Sequence, residues 1–114
     1  MRIDSYEFGR IKIDGKEYYH DVILSPNREI TKWWRKEGHV FSIEDLPDCV
    51  MPGVEFLIVG TGAYGRVDVL KEVEEYVEKL GIKLISAPTR EAVDRYNELV
   101  SKGHVVVGAF HLTC

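Results

Sequence analysis

Cysteine is nearly missing from this chain. Cys49 and Cys114 are its only two, too few for a disulfide framework. No apolar run approaches the ~18 residues that a membrane-spanning helix needs. The first residues include Arg2, Asp4 and Glu7, not the apolar core of a secretory leader. There is no excess of positive charge either. Fifteen Lys and Arg stand against 19 Asp and Glu, for a net charge of −4. That imbalance is spread evenly: eight basic and ten acidic residues in 1–53, seven and nine in 54–114. No half or tail is basic enough to bind a phosphate backbone. The G-x-S-x-G elbow of a serine hydrolase is absent. These absences lead to the expectation of a cytoplasmic protein that binds neither membrane nor nucleic acid.

The chain that remains is ordinary globular material, 45% hydrophobic and 30% charged, and 114 residues predict a single domain, 1–114. Its first third reads as β. Residues 8–13 alternate apolar and polar, and Asp14-Gly15 follows as a hairpin turn whose two positions tolerate φ > 0. Residues 16–24 form the returning strand, and Ser25-Pro26-Asn27-Arg28 turns into a third strand over 29–34. Ser42-Ile-Glu-Asp45 resembles a capping box and opens a short helix, which Pro47 and Pro52-Gly53 keep short. The second half alternates strand and helix. Residues 54–59 form a buried strand, and 70–80 an amphipathic helix ended by Gly81. Residues 82–85 form a strand, and Thr89 caps a second helix. An uncharged strand over 105–110 is expected at the centre of the sheet. The order predicts an α/β fold of three layers, β+α/β/α. Its central mixed sheet carries two long helices on one face and an N-terminal antiparallel meander on the other.

Gly60-Thr61-Gly62-Ala63-Tyr64-Gly65 matches the dinucleotide fingerprint G-x-G-x-x-G and lies, as that fingerprint requires, after a strand. Three features count against a dinucleotide. The next strand ends Ile85-Ser86-Ala87-Pro88, with no carboxylate for a ribose. Residues 54–114 hold only one mononucleotide-binding half. The helix starts near residues 68–70, away from the glycines. A P-loop would need Gly-Lys-Ser/Thr, which does not follow. The glycines are therefore read as a sharp turn, and no cofactor is assigned. The carboxyl end of such a strand can still host a ligand.

His111-Leu-Thr-Cys114 offers two soft ligands, fewer than the four of a structural zinc site, so no metal is assigned. Cys114 as a nucleophile, with His39, His104 or His111 as base, is the competing reading there, and an incidental terminus is the favoured one. Cys49 reads as a buried small hydrophobe. Trp33-Trp34-Arg35-Lys36 mixes aromatics and positive charge. On a strand one Trp faces in and the other out, the outer one free to stack on a base or to anchor a protein contact, and the second reading is favoured. Glu72, Glu74, Glu75, Glu78 and Asp94 read as solvated helix faces, with no carboxylate pair placed for acid–base work.

Thr89-Arg-Glu-Ala92-Val-Asp-Arg-Tyr96-Asn97-Glu-Leu99, then Lys102-Gly103 and an apolar strand to His111-Leu-Thr-Cys114, together with the Gly-Thr-Gly turn, resembles the adipogenesis-associated Mth-type domain family. This is a family of unknown function that includes a mitochondrial complex I assembly factor. Trp33-Trp34-Arg-Lys-Glu-Gly38-His39 resembles its small archaeal and bacterial members. The resemblance implies the mixed-sheet fold already read, no established enzyme activity, and relatives that act in assembly or interaction. It also implies a pocket around the Gly-Thr-Gly turn, which carries over to Gly60, Thr61, Gly62, Thr89 and Asn97. One departure is His104, where many members place an Arg just before the last strand, so a basic anchor for an anion is not supplied there. The leading expectation is a non-enzymatic binding or assembly protein with a protein partner at Trp33 or Trp34. The alternative is a small-molecule or anion-binding protein, open to being an enzyme, at the Gly60–Gly62 edge.

Overall fold

The computed structural model describes residues 1–35 and 38–114. Lys36 and Glu37, part of the Trp33–His39 stretch, lie outside the described residues. The strands are β1 (Ile3–Glu7), β2 (Arg10–Ile13), β3 (Lys16–Tyr18), β4 (Val22–Leu24), β5 (Ile30–Lys32), β6 (Val40–Phe41), β7 (Phe56–Thr61), β8 (Asp68–Val69), β9 (Lys83–Ala87) and β10 (Val106–His111). A 3₁₀ helix spans Ile43–Asp48, and the two α-helices are α1 (Lys71–Lys79) and α2 (Thr89–Ser101). The main sheet runs β5-β4-β10-β7-β9. β7 is parallel to both β9 and β10, while β4 is antiparallel to β10 and to β5. The sheet is therefore mixed, and the uncharged strand β10 sits third of five, as its composition predicts.

The antiparallel meander is present, but it is built from β1, β2 and β3. Asp14 and Gly15 both take positive φ at the β2–β3 turn, +47° and +84°, the geometry a two-residue hairpin needs. The expected strand over 16–24 is divided. β3 ends at Tyr18, and β4 begins at Val22 in the other sheet. The break falls at Asp21, whose carboxylate accepts the Leu112 N–H at 2.8 Å and so fastens the chain to the end of β10. The strand expected over 29–34 shortens to β5 and joins the main sheet, not the meander. Ser42 and Asp45 do form the expected capping box, with the Ser42 N–H donating to Asp45 Oδ2 at 3.0 Å.

The class of fold is the expected α/β, but the helices divide between the faces of the sheet. Val73 and Val77 of α1 pack with Leu57, Val59, Val107 and Ala109 on one face. Ala92, Val93, Tyr96 and Leu99 of α2 pack with Ile58 and Phe110 on the other, beside Ile3, Ile11 and Ile13 of the meander. Handedness is the reason. The connection β7-α1-β9 steps outward to the sheet edge, whereas β9-α2-β10 steps back across β7. Two right-handed crossovers running in opposite directions must use opposite faces. Each face gains large, fully buried side chains such as Leu57 and Phe110, worth roughly 1.5–3 kcal/mol apiece in water exclusion. Among the described residues no helix is long and apolar enough to cross a membrane.

Candidate functional site

The Gly-Thr-Gly turn closes strand β7, hemmed in by the end of β10, the start of α2 and the backbone of Cys114. An added Cβ at Gly60 would stand 2.9 Å from both the Phe110 ring and Thr89 Oγ1, so this glycine lets the start of α2 approach the strand. Gly62 has φ +107°, and a Cβ there would overlap the Cys114 backbone and stand 2.9 Å from His111 Cδ2. Thr89 does not cap α2, as the sequence predicts it would: Pro88 holds the N-cap position. Instead its fully buried hydroxyl accepts the Gly62 N–H at 2.9 Å and donates to the His111 carbonyl at 2.6 Å. The Thr89 N–H in turn donates to the Gly62 carbonyl at 3.0 Å. Ala63 and Arg66 give their N–H groups to Thr113 and Cys114 carbonyl oxygens. Four of the five residues that the resemblance assigns to a pocket thus come together. Of these, Gly60, Gly62 and Thr89 form a structural joint.

Asn97 is the exception. It lies two turns further along α2, where its amide accepts the Ile3 N–H at 2.9 Å and donates to the Ile3 carbonyl at 2.8 Å. It ties the helix to β1.

Beside the joint lies a polar clasp. Asp21 Oδ2 is 2.7 Å from His111 Nδ1 and 2.7 Å from Arg35 Nη1. The ionised carboxylate can only accept, so the short Asp21 contact calls for Nδ1–H on the imidazole, and Arg35 Nη2, 3.0 Å from that same nitrogen, then makes no hydrogen bond to it. Burial pushes the Asp21 carboxyl upward. The hydrogen bonds from His111, the Leu112 N–H and Arg35 outweigh that and hold it below the usual carboxylate range. Arg35 also lies over the Trp33 ring, 4.6 Å from its centroid.

Trp33 is only 4% exposed and packs on Phe41, so it offers a partner nothing. Trp34 is 74% exposed, with the Lys32 ammonium 4.2 Å over its ring. Both tryptophans lie past the end of β5, in irregular backbone. Cys49 is buried, and burial, with Asp48 and Asp45 adding to it, pushes its thiol up to about 12. Neither cysteine is in a disulfide, and no group of three or more His, Cys, Asp or Glu among the described residues is placed to hold a metal.

The remaining opening at this edge is a crevice of about 460 Å³. It lies between the carboxyl ends of β7 and β9, and its lining includes Thr61, Tyr64, Asp68, Glu74, Ser86 and Pro88. Its origin is topological. β7 and β9 are parallel neighbours, but the chain leaves β7 toward α1 and leaves β9 toward α2, on opposite faces. Loops that diverge from adjacent strands leave a gap, the switch point where open α/β sheets bind ligands. Thr61 is 7% exposed and lines this gap. Its hydroxyl has no hydrogen-bond partner among the described residues. Of the expected site residues only Thr61 lines the crevice. Tyr64, Asp68, Glu74 and Ser86 were not foreseen, because only the divergence of α1 and α2 makes a site there. Their signal in the sequence is weak: Tyr64 follows the end of β7, Ser86 is near the end of β9, Asp68 starts β8 and Glu74 lies in the first turn of α1.

A second opening is apolar. Ile43, Leu46, Pro47, Val50 and Tyr76 line a groove of about 330 Å³. Val50 also belongs to an adjoining hollow of about 340 Å³ walled by Met51, Leu80 and Ile82.

A small mixed sheet with a switch-point crevice, one helix per face and a β-meander over one of them defines an α/β fold. The chain belongs to the family described as protein of unknown function (DUF498/DUF598), whose model matches residues 3–111. It is similar over 100% of both chains to a conserved hypothetical protein, PH1505, from Pyrococcus horikoshii, with 32% identity and a TM-score of 0.90. MT938 is 25% identical over 99% of this chain and 98% of its own, with a TM-score of 0.79. The fold also matches a protein from Bordetella pertussis described as a Mth938-like domain. That likeness has 20% identity over 97% of this chain and 85% of the other, with a TM-score of 0.69. The Mth-type resemblance read from the sequence is borne out.

Proposed function

We propose that this domain binds a small polar molecule in the crevice between the ends of β7 and β9. The Thr61 hydroxyl carries the reading. The residue is largely buried, yet its hydroxyl opens on the crevice and bonds to no other described residue, so it can pair with a ligand at the place where the topology favours one. The joint beneath the crevice serves to hold its wall. The net charge of −4 supports a setting without nucleic acid, and two free thiols support a cytoplasmic one. Amide-shift mapping with a mixed fragment library tests the reading. Binders should move the Thr61, Tyr64 and Ser86 amides, and Ser86→Phe, at an exposed site, should abolish the shifts with the fold intact. Binding that survives Ser86→Phe unchanged would put the site elsewhere.

A second reading keeps the protein partner that the family resemblance implies, but moves it from the tryptophans. The apolar groove flanked by exposed Ile43, Tyr76 and Leu80 suits a partner helix that presents an apolar face of i, i+3, i+4 anchors. A helical partner isolated with the protein should be lost from Tyr76→Ser and Leu80→Ser and kept by Trp34→Ser. The reverse pattern would return the contact to Trp34.

A further inference from the structure

We infer that the molecule taken by the crevice is a small organic cation carrying at least one ammonium group; this rests on the binding reading above. The side chains lining the crevice decide the charge. Asp68 and Glu74 contribute carboxylates, and Thr61, Ser86 and Tyr64 contribute hydroxyls. Among the described residues no Lys, Arg or His lines it. The Arg66 side chain, one residue beyond Gly65, is not part of the wall. An ionised carboxylate only accepts hydrogen bonds, and a hydroxyl accepts as readily as it donates. The lining is therefore rich in acceptors, and an ammonium group, with three donors and no acceptor, is its complement.

The anion alternative fails on the same wall. Helix N-termini attract anions, and α1 and α2 both start near this edge. Each start already carries its own carboxylates, Glu72 and Glu74 in the first turn of α1 and Glu91 in that of α2. The Thr89 N–H, the first donor of α2, is taken by the Gly62 carbonyl. A phosphate would meet two like charges and lose one of the donors it needs. At the rim, Tyr64 is exposed and tilted against Phe8 with ring centroids 6.3 Å apart. An exposed aromatic ring at the rim can attract a cation through its face.

Three five-carbon probes that differ only in their end groups test the charge. They are cadaverine, pentanediol and glutarate, each titrated into labelled protein at low salt and read by amide shifts at Thr61, Tyr64, Gly65 and Ser86. Cadaverine should move these amides and the other two should not. Asp68→Asn and Glu74→Gln, both at exposed sites, should each weaken cadaverine by about fivefold, the worth of one exposed ion pair. Thr61→Val should weaken it with Asp68 and Glu74 untouched. Shifts from glutarate or pentanediol but not cadaverine would overturn the cation while leaving a crevice site standing. Equal affinity for cadaverine after both carboxylates are neutralised would also overturn it. If neither these probes nor any library fragment moves the crevice amides, the binding reading itself fails.

Discussion

The Thr89 hydroxyl donates to the His111 carbonyl oxygen at 2.6 Å, inside the protein and out of reach of water. Through this bond the first turn of α2 holds the end of β10, and through its second bond it holds Gly62 at the end of β7. One side chain thus positions the wall of the crevice without entering it. Thr89→Val keeps the shape and removes both bonds, leaving a buried N–H and a buried C=O unpaired. The expected loss is about 2–4 kcal/mol, read as a lower midpoint in urea unfolding with an unchanged slope. Thr89→Ser keeps the bonds and loses a methyl group, and should cost about 1 kcal/mol. Equal losses in the two variants would show that the hydroxyl is not what holds the joint.

Asp21 links acid stability to the same end of β10. Its carboxyl is held below the usual range by His111, the Leu112 N–H and Arg35 against the upward push of burial. Its folded pKa is depressed, so its contribution is fully present above the unfolded value, about 3.9, and is lost as pH falls through the folded value. Glu17 and Glu55 are also lowered, so the wild-type curve alone does not isolate Asp21. Asp21→Asn should be less stable at neutral pH, and its deficit should shrink below about pH 4. A deficit that stays constant down to about pH 2 would remove Asp21 from the acid response.

Much of this architecture is legible in the sequence where the signal is local. The Asp14-Gly15 turn, the helix ended by Gly81 and the uncharged central strand β10 each follow from a few adjacent residues. The division of residues 16–24 between two sheets does not, because Asp21 is set by partners 14 and 90 residues away. Nor does the side of the sheet that each helix takes, since helix periodicity shows which face is apolar but not where it packs. The crevice was missed for that reason. Thr61 was legible as part of a turn, but Asp68, Glu74 and Ser86 become neighbours only once α1 and α2 diverge. Thr89 shows the opposite case: a residue with good capping chemistry, drawn to a tertiary bond instead.

Cys49 gives a prediction about reactivity. Its thiol is buried and pushed up to about 12, by burial first and then by Asp48 and Asp45. The thiolate is the reactive form, so at about pH 8 the native protein should leave Cys49 unalkylated while the urea-unfolded protein labels it fully. Peptide mass spectrometry separates it from Cys114, which is half-buried. Rapid labelling of Cys49 in the native state would mean that the 3₁₀ segment opens readily, and with it the apolar groove that Leu46 and Val50 line.

The glycines of the fingerprint should separate by mechanism. Gly65 has φ +68° and room for a Cβ, whose nearest atom would be 3.6 Å away. Gly65→Ala should therefore cost only backbone strain, about 1 kcal/mol. Gly62→Val adds overlap with the Cys114 backbone to a φ of +107°, and this variant should fail to fold at room temperature. Gly60 has no positive φ, so Gly60→Ala is a purely steric test. Its Cβ would press on Phe110 and on Thr89 Oγ1, at 2.9 Å each, and overpacking of this kind costs about 1–3 kcal/mol. Phe110→Leu gives the methyl room on one side only, so the double variant should recover part of the Gly60→Ala loss. Additive losses in that pair would mean that Thr89, not the ring, is what Gly60 accommodates. Either result ties the first glycine to packing, and a dinucleotide is then not needed to explain the motif.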